Sequence, residues 1–208
     1  MAIDVFAFDW SGVISDDRKP VYHANMRMLA DYGKTAIPFA KWLRMTQRTI
    51  VEFMESNGVV DSPERFSALY QKYFTEFSQN GMRPFSYPEA GEVLESLKNL
   101  GKTLTVLSYH PAPNLETELE RYGLASLFAI VHGGVRDKTA ELEGLYKSLD
   151  VDPHDVIYTG DMVFDIRAAK AAGVRSAGVC TGYHTRAMLA KEEPTYLFRN
   201  LAGLKVIA

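Results

Sequence analysis

One cysteine, Cys180, stands in a chain of 208 residues. A lone thiol forms no intrachain disulfide, and such scarcity fits a reducing compartment. At the end of a predicted strand, Cys180 reads as a small apolar residue. Positive charge is thin as well. The 23 Lys and Arg against 26 Asp and Glu give a formal charge of −3, with no basic run. That excludes the electrostatic footprint expected for nucleic acid. No apolar stretch reaches the roughly 18 residues a transmembrane helix needs, so no membrane span is expected. Met1-Ala2-Ile3-Asp4 opens without a basic segment leading into an apolar one, so no signal peptide is expected. Internal repeats and low-complexity segments are absent too. These absences predict a cytoplasmic protein, monomer or homodimer, whose partner is a small molecule.

What is present is an ordinary globular composition, 47% apolar and 24% charged, and length enough for one core plus an insert. The run Asp4-Val-Phe-Ala-Phe-Asp9-Trp10-Ser11-Gly12 ends an apolar strand (4–9) in a carboxylate. From about 16 to 83 strand signals vanish and helices are predicted: one through Met26, Leu29 and Ala30 stopped at Gly33, then 38–45, 47–56 and 63–79. Ser62-Pro63-Glu64 is a strong start for the last, with Ser62 as cap and proline in the first turn. From Pro84 onward strand and helix alternate. Helices are predicted at 88–100, 113–122, 138–149 and 164–172, and strands at 103–107, 128–131, 156–159 and 175–179. This order predicts an α/β fold, a Rossmann-like doubly wound parallel sheet. Residues 1–15 and 84–208 would form the core domain, and 16–83 a small helical cap domain. Residues 16–20 and 81–84 read as linkers. Ligands of such sheets bind beyond the carboxyl ends of the strands, the edge over which the inserted helices are expected to hang.

Four predicted strand ends carry polar side chains: Asp9 and Ser11; Ser108; Lys138, after the third; and Gly160-Asp161, with Asp165 one helical turn further on. Together they suit a phosphate. Asp9 can attack phosphorus, while Ser108 and Lys138 can bind the phosphoryl oxygens and offset their charge. Asp9 and Asp161 can hold a hard cation such as magnesium (Mg²⁺) through oxygen ligands, with Asp165 orienting the site from the same face.

The order Asp9-x-Ser11-Gly12, Ser108, Lys138, Gly160-Asp161-x-x-x-Asp165 resembles the four motifs of the haloacid dehalogenase-like (HAD) hydrolase superfamily. Residues 87–98 and 168–174 are similar to the family as well. The resemblance implies a Rossmann-like core, a helical cap after the first motif, Mg²⁺ dependence and an aspartyl-phosphate intermediate on Asp9. It also implies that the backbone carbonyl of Ser11 reaches the metal, completing the set Asp9, Ser11, Asp161 and Asp165.

Ser11 departs from the family's phosphatases, which carry aspartate there to protonate the leaving oxygen and activate water. A serine hydroxyl is a poor acid and base near neutrality, and such proton transfer contributes about 10²–10⁴-fold. The leaving group then needs no proton, another residue supplies it, or the cycle stalls. The phosphonoacetaldehyde hydrolase branch is similar, reading Asp-Trp-Ala-Gly at this motif, which implies a phosphonate substrate as the alternative to a phosphorylated metabolite. A regulatory module that binds phosphate and metal without turnover is the other alternative. Candidate replacements for the proton donor are His110, His184, and Tyr22 with His23. Arg44, Gln47 and Arg48 are placed to read the substrate. Met26, Met28, Met45 and Met54, with Trp10 and Trp42, read as core.

Overall fold

The computed structural model describes residues 3–45 and 49–208. Gln47 and Arg48, and the start of the helix expected over 47–56, lie outside the described residues. The chain divides into two compact units, one comprising the chain up to Asp16 together with Phe85–Ala208, the other Asp17–Pro84.

The first unit opens with β1 (Val5–Phe8), and a two-residue strand β2 (Ser15–Asp16) follows. The second unit contributes α1 (Arg18–Asp31), α2 (Phe39–Trp42), α3 (Ile50–Ser56) and α4 (Pro63–Gln79). The chain re-enters the first unit through β3 (Phe85–Ser86) and continues α5 (Ala90–Asn99), β4 (Thr103–Leu107), α6 (Ala112–Tyr122), β5 (Ile130–His132) and α7 (Lys138–Ser148). Then come β6 (Val156–Gly160), α8 (Val163–Ala171), β7 (Arg175–Val179), α9 (Arg186–Lys191) and β8 (Tyr196–Phe198).

Six strands form one parallel sheet in the order β5-β4-β1-β6-β7-β8. The chain runs outward from β1 through β4 to β5, then restarts beside β1 at β6. That reversal puts a crevice at the carboxyl end of the central strand. All four residues of β1 are buried, as a strand covered on both faces requires. Alternate side chains point opposite ways. Phe6 and Phe8 join a core cluster with Leu94 and Leu97 of α5 and Leu115 and Leu119 of α6. Val5 and Ala7 pack instead with Leu142 and Leu145 of α7 and Ala169 of α8.

The linker expected over 16–20 is not one. Ser15 and Asp16 pair antiparallel with Ser86 and Phe85, and α1 begins at Arg18. Pro20 fits its first turn because the amides there have no intrahelical acceptor to lose. The strand expected over 128–131 is displaced to Ile130–His132. A 3₁₀ turn at Ala125–Leu127 precedes it, and Phe128 is spent edge-on against Phe8, centroids 6.3 Å apart.

In the second unit α1 packs on α4, and α3 on α4. Their buried faces carry Met28, Leu29, Phe53, Met54, Phe66 and Phe74. The Ser62 hydroxyl accepts from the Arg65 amide and caps α4, with Pro63 in the first turn. Met26 and Trp42 are buried there too, and Met45 is half-buried.

Candidate active site

β1, β4 and β6 are neighbours, so the residues that leave their carboxyl ends converge. Asp9 follows β1, its amide donating to Thr159 O of β6 at 2.8 Å. Ser108 follows β4, and its amide bonds His132 O at 2.9 Å. Asp161 follows β6. Lys138 is the first residue of α7, whose N-terminus is capped by the Asp137 carboxylate accepting from Thr139 and Ala140. Asp165 lies in the first turn of α8, with Oδ2 accepting from the Met162 amide at 2.9 Å.

Four of these side chains meet. Lys138 Nζ lies 2.7 Å from Asp165 Oδ1 and 2.9 Å from Asp9 Oδ2. The other Asp9 oxygen accepts from the Trp10 amide at 2.8 Å, so both oxygens have a donor and the plane of the carboxylate is set. One oxygen each of Asp9, Asp161 and Asp165 lie within 4.8 Å of one another, and all three residues are buried. Two aromatic rings flank the ammonium, with Nζ 4.6 Å from the centroid of Tyr109 and 5.5 Å from that of Tyr158. Tyr158 is itself held by its hydroxyl donating to Leu107 O.

The charges in this cluster do not balance. Three carboxylates face one ammonium. Burial disfavours the charged lysine, yet the negative charges of Asp165 and Asp9 outweigh it and hold the Lys138 pKa well above the usual lysine value. Burial, reinforced by Asp165 and Asp9, pushes the Asp161 carboxyl well up. Burial likewise raises Asp165, against the pull of Lys138.

A divalent cation fits what is left over. Asp161 Oδ2 accepts from the Tyr183 amide at 2.6 Å, whereas its Oδ1 is buried without a hydrogen-bond partner. A buried carboxylate oxygen in that state is costly unless something ligates it. Two glycines let the carboxylate sit there. A Cβ on Gly12 would stand 2.4 Å from Asp161 Oδ2, and one on Gly182 1.9 Å from it. Gly12 also has a φ of +75°, a conformation few side chains tolerate. Asp9, Asp161 and Asp165 are thus an all-oxygen donor set suited to a hard cation such as Mg²⁺.

Ser11 and Ser108 stay on the loops at this sheet edge, and the other sequence candidates make contacts of their own. Ser11 is half-buried and bridges Ser15 along the loop after β1. The Ser108 hydroxyl accepts from the His110 amide at 3.2 Å. The His110 ring is buried, with Nε2 3.4 Å from Glu118. His184 is buried as well, its Nδ1 accepting from the Val163 amide at the start of α8. Tyr22 and His23 belong to the helical unit. Tyr22 donates to Ile37 O and stacks edge-on against Phe39 and Trp42, while His23 lies against Phe77. Arg44 is exposed in that same unit.

Tyr109, Tyr158, the Tyr183 amide and Glu118 are not among the residues the sequence points to. Tyr109 carries a signal in its place just past the end of β4, while Tyr158, in the middle of β6, reads as an ordinary buried strand position; backbone donors and a mid-helix glutamate leave none.

Comparison with known proteins agrees with this architecture. A phosphoglycolate phosphatase of Salmonella typhi is 32% identical over 141 residues, which is 65% of this chain and 55% of that protein. One from Pseudomonas aeruginosa is 26% identical over 210 residues, 95% of this chain and 76% of its own length. The chain therefore spans a little over half the length of the first of these. Among solved structures, a haloacid dehalogenase-like family protein from Streptococcus pneumoniae superposes with a TM-score of 0.79 at 16% identity, covering 98% and 97% of the two chains. A second solved structure, from Lactobacillus plantarum, reaches 0.86 at 19% identity over the full length of both chains. The family model for haloacid dehalogenase-like hydrolases matches residues 6–179, and the chain belongs to that family.

Proposed function

We propose that this protein is a phosphatase that transfers the phosphoryl group of a small phosphorylated metabolite to Asp9 and then to water. The observation that carries this reading is the Asp9 carboxylate at the end of the central strand, held by the Trp10 amide and by Lys138 beside the acidic pair Asp161 and Asp165. An Asp9 oxygen attacks phosphorus, the bond from phosphorus to the leaving oxygen breaks, and an aspartyl phosphate forms. Water then attacks the phosphorus, releasing inorganic phosphate and restoring the carboxylate. The Lys138 ammonium, kept charged by its neighbours, and the Ser108 hydroxyl offset the charge that builds on the phosphoryl oxygens.

Asp9, Asp161 and Asp165, with the Ser11 carbonyl, would hold Mg²⁺. When bound, the cation offsets the repulsion between anionic nucleophile and anionic phosphate. The first half-reaction leaves a demand for one proton on the departing oxygen. Ser11 does not meet it, so substrates with a stable anionic leaving group, or one that carries its own proton donor, suit this site best.

The names of the relatives put 2-phosphoglycolate first among substrates to try. The test is phosphate release from a panel of phosphorylated metabolites with Mg²⁺. Turnover by the wild type, reduced at least about 10³-fold in Asp9→Asn, is expected when the nucleophile itself is removed. Phosphate or Mg²⁺ binding without release from any substrate would replace this reading with that of a binding module.

A further inference from the structure

Behind the nucleophile loop lies a carboxylate that the chemistry above does not use. Glu118, on α6, is buried. Its Oε2 accepts from the Trp10 indole Nε1 at 2.7 Å, from the Ser15 hydroxyl at 2.8 Å and from the Tyr122 hydroxyl at 3.4 Å. Its Oε1 faces His110 Nε2 at 3.4 Å. The Tyr122 hydroxyl also meets the Ser15 hydroxyl at 2.8 Å, and the Tyr122 ring stacks on Trp10 with centroids 5.7 Å apart.

We propose that Glu118 is a positioning residue that sets the Asp9 carboxylate through Trp10 and ties it to the Ser108 loop through His110. The role deepens the phosphatase reading and rests on it. Trp10 is the residue after Asp9. Its amide donates to Asp9 Oδ1, and its carbonyl accepts the amides of Val13, Ile14 and Ser15. The orientation of the Trp10 peptide therefore governs both the nucleophile and the turn that carries Ser11. With its ring clamped between Tyr122 and the Glu118 carboxylate, that peptide has little freedom to turn. On the other side, the His110 amide donates to the Ser108 hydroxyl. One buried charge thus reaches the loops at the ends of two adjacent strands, β1 and β4. A neutral acceptor would satisfy the indole N–H. Hydrogen bonds to a carboxylate are shorter and stronger, which suits a part whose task is to hold geometry.

The test uses the full chain with Trp42→Phe as background, leaving Trp10 as the only tryptophan. Glu118→Gln keeps an acceptor for Trp10 and Ser15 but removes the charge. It should melt close to the parent and shift the Trp10 indole N–H resonance upfield. Its kcat should fall about tenfold with KM within about twofold, because misplacement of a nucleophile is felt in the chemical step. Trp10→Phe should show the same split, and the double variant should be no worse than the poorer single. An unmoved indole resonance, or unchanged kcat in Glu118→Gln while Asp9→Asn abolishes turnover, overturns the positioning role alone. So does activity lost only in proportion to folded protein. Absence of turnover in the parent on every substrate overturns the phosphatase reading and takes this role with it, whatever the indole resonance does.

Discussion

Lys138 Nζ lies 2.9 Å from Asp9 Oδ2, and both side chains are buried. The pair makes one cation answer to the nucleophile and, through Asp165 at 2.7 Å, to the acidic cluster as well. Removing it in Lys138→Met leaves buried carboxylates unpaired. Breaking a buried pair in this way costs roughly 3–5 kcal/mol, to be read from urea unfolding at neutral pH. The unpaired carboxyls should titrate higher when folded than when unfolded, so the deficit should shrink as the pH is lowered and the folded state takes up protons. Phosphate release should be lost along with it.

Asp161 carries the orphaned buried oxygen, and its role is testable without substrate. Mg²⁺ should raise the melting temperature of the wild type. A cation at about 100 times its dissociation constant stabilises a fold by about 2.7 kcal/mol. Asp161→Asn should abolish the response. Burial and its acidic neighbours raise the Asp161 carboxyl above its ordinary 3.8, so protons compete with the cation. The Mg²⁺-induced shift should therefore grow as the pH rises through the folded value. A shift of equal size in Asp161→Asn would remove this residue from the ligand set.

Glu118 should leave its mark on acid stability. Burial raises its carboxyl, but His110, Trp10 and Ser15 outweigh burial and hold it below its ordinary 4.5. A depressed folded value means that the stabilisation is present above pH 4.5 and lost as the pH falls through the folded value. Denaturant unfolding of the wild type should weaken across that interval, and Glu118→Gln should show a flatter profile. Parallel profiles for the two proteins would argue that Glu118 titrates alike in both states.

Ser11→Asp puts a carboxylate where the chain has a hydroxyl. If the missing proton is the only shortfall, the variant should gain on simple alkyl phosphates, within the roughly 10²–10⁴-fold that general acid–base catalysis supplies. Release assays on a poor and a good leaving group should show the gain confined to the poor one. A loss on both would mean that the site is organised around a different donor.

Much of the scaffold is readable from local pattern. Thr103–Leu107 and Arg175–Val179 are strands at the expected positions because each is a short, mostly apolar or small-residue run that follows a helix-stopping glycine, Gly101 or Gly173. Pro63–Gln79 is legible from its cap and first-turn proline. Asp9, Lys138, Asp161 and Asp165 are each marked by position at a strand end or helix start, and the sheet order brings them together. What escapes is set by tertiary contact. Tyr196–Phe198 is a half-buried edge strand of three residues, too short for its alternation to register. Glu118 sits among Glu116 and Glu120 on one helix, and its spacing says nothing of the indole it meets. His110 looks like a proton donor beside Ser108, yet its buried ring turns Nε2 toward Glu118, 3.4 Å away.

The two-residue ladder of Ser15 with Ser86 and Asp16 with Phe85 sits where the chain leaves the first unit and returns. It acts as a clasp. The ends of the intervening segment are brought into register by an antiparallel main-chain ladder. A short turn joining Asp16 to Phe85 would close the same clasp, because neither the sheet order nor the strand bearing Asp9 draws on the 68 residues between. The fold thus works as a socket: Asp9, Lys138, Asp161 and Asp165 all belong to the unit that frames the insertion, and none to the piece inserted.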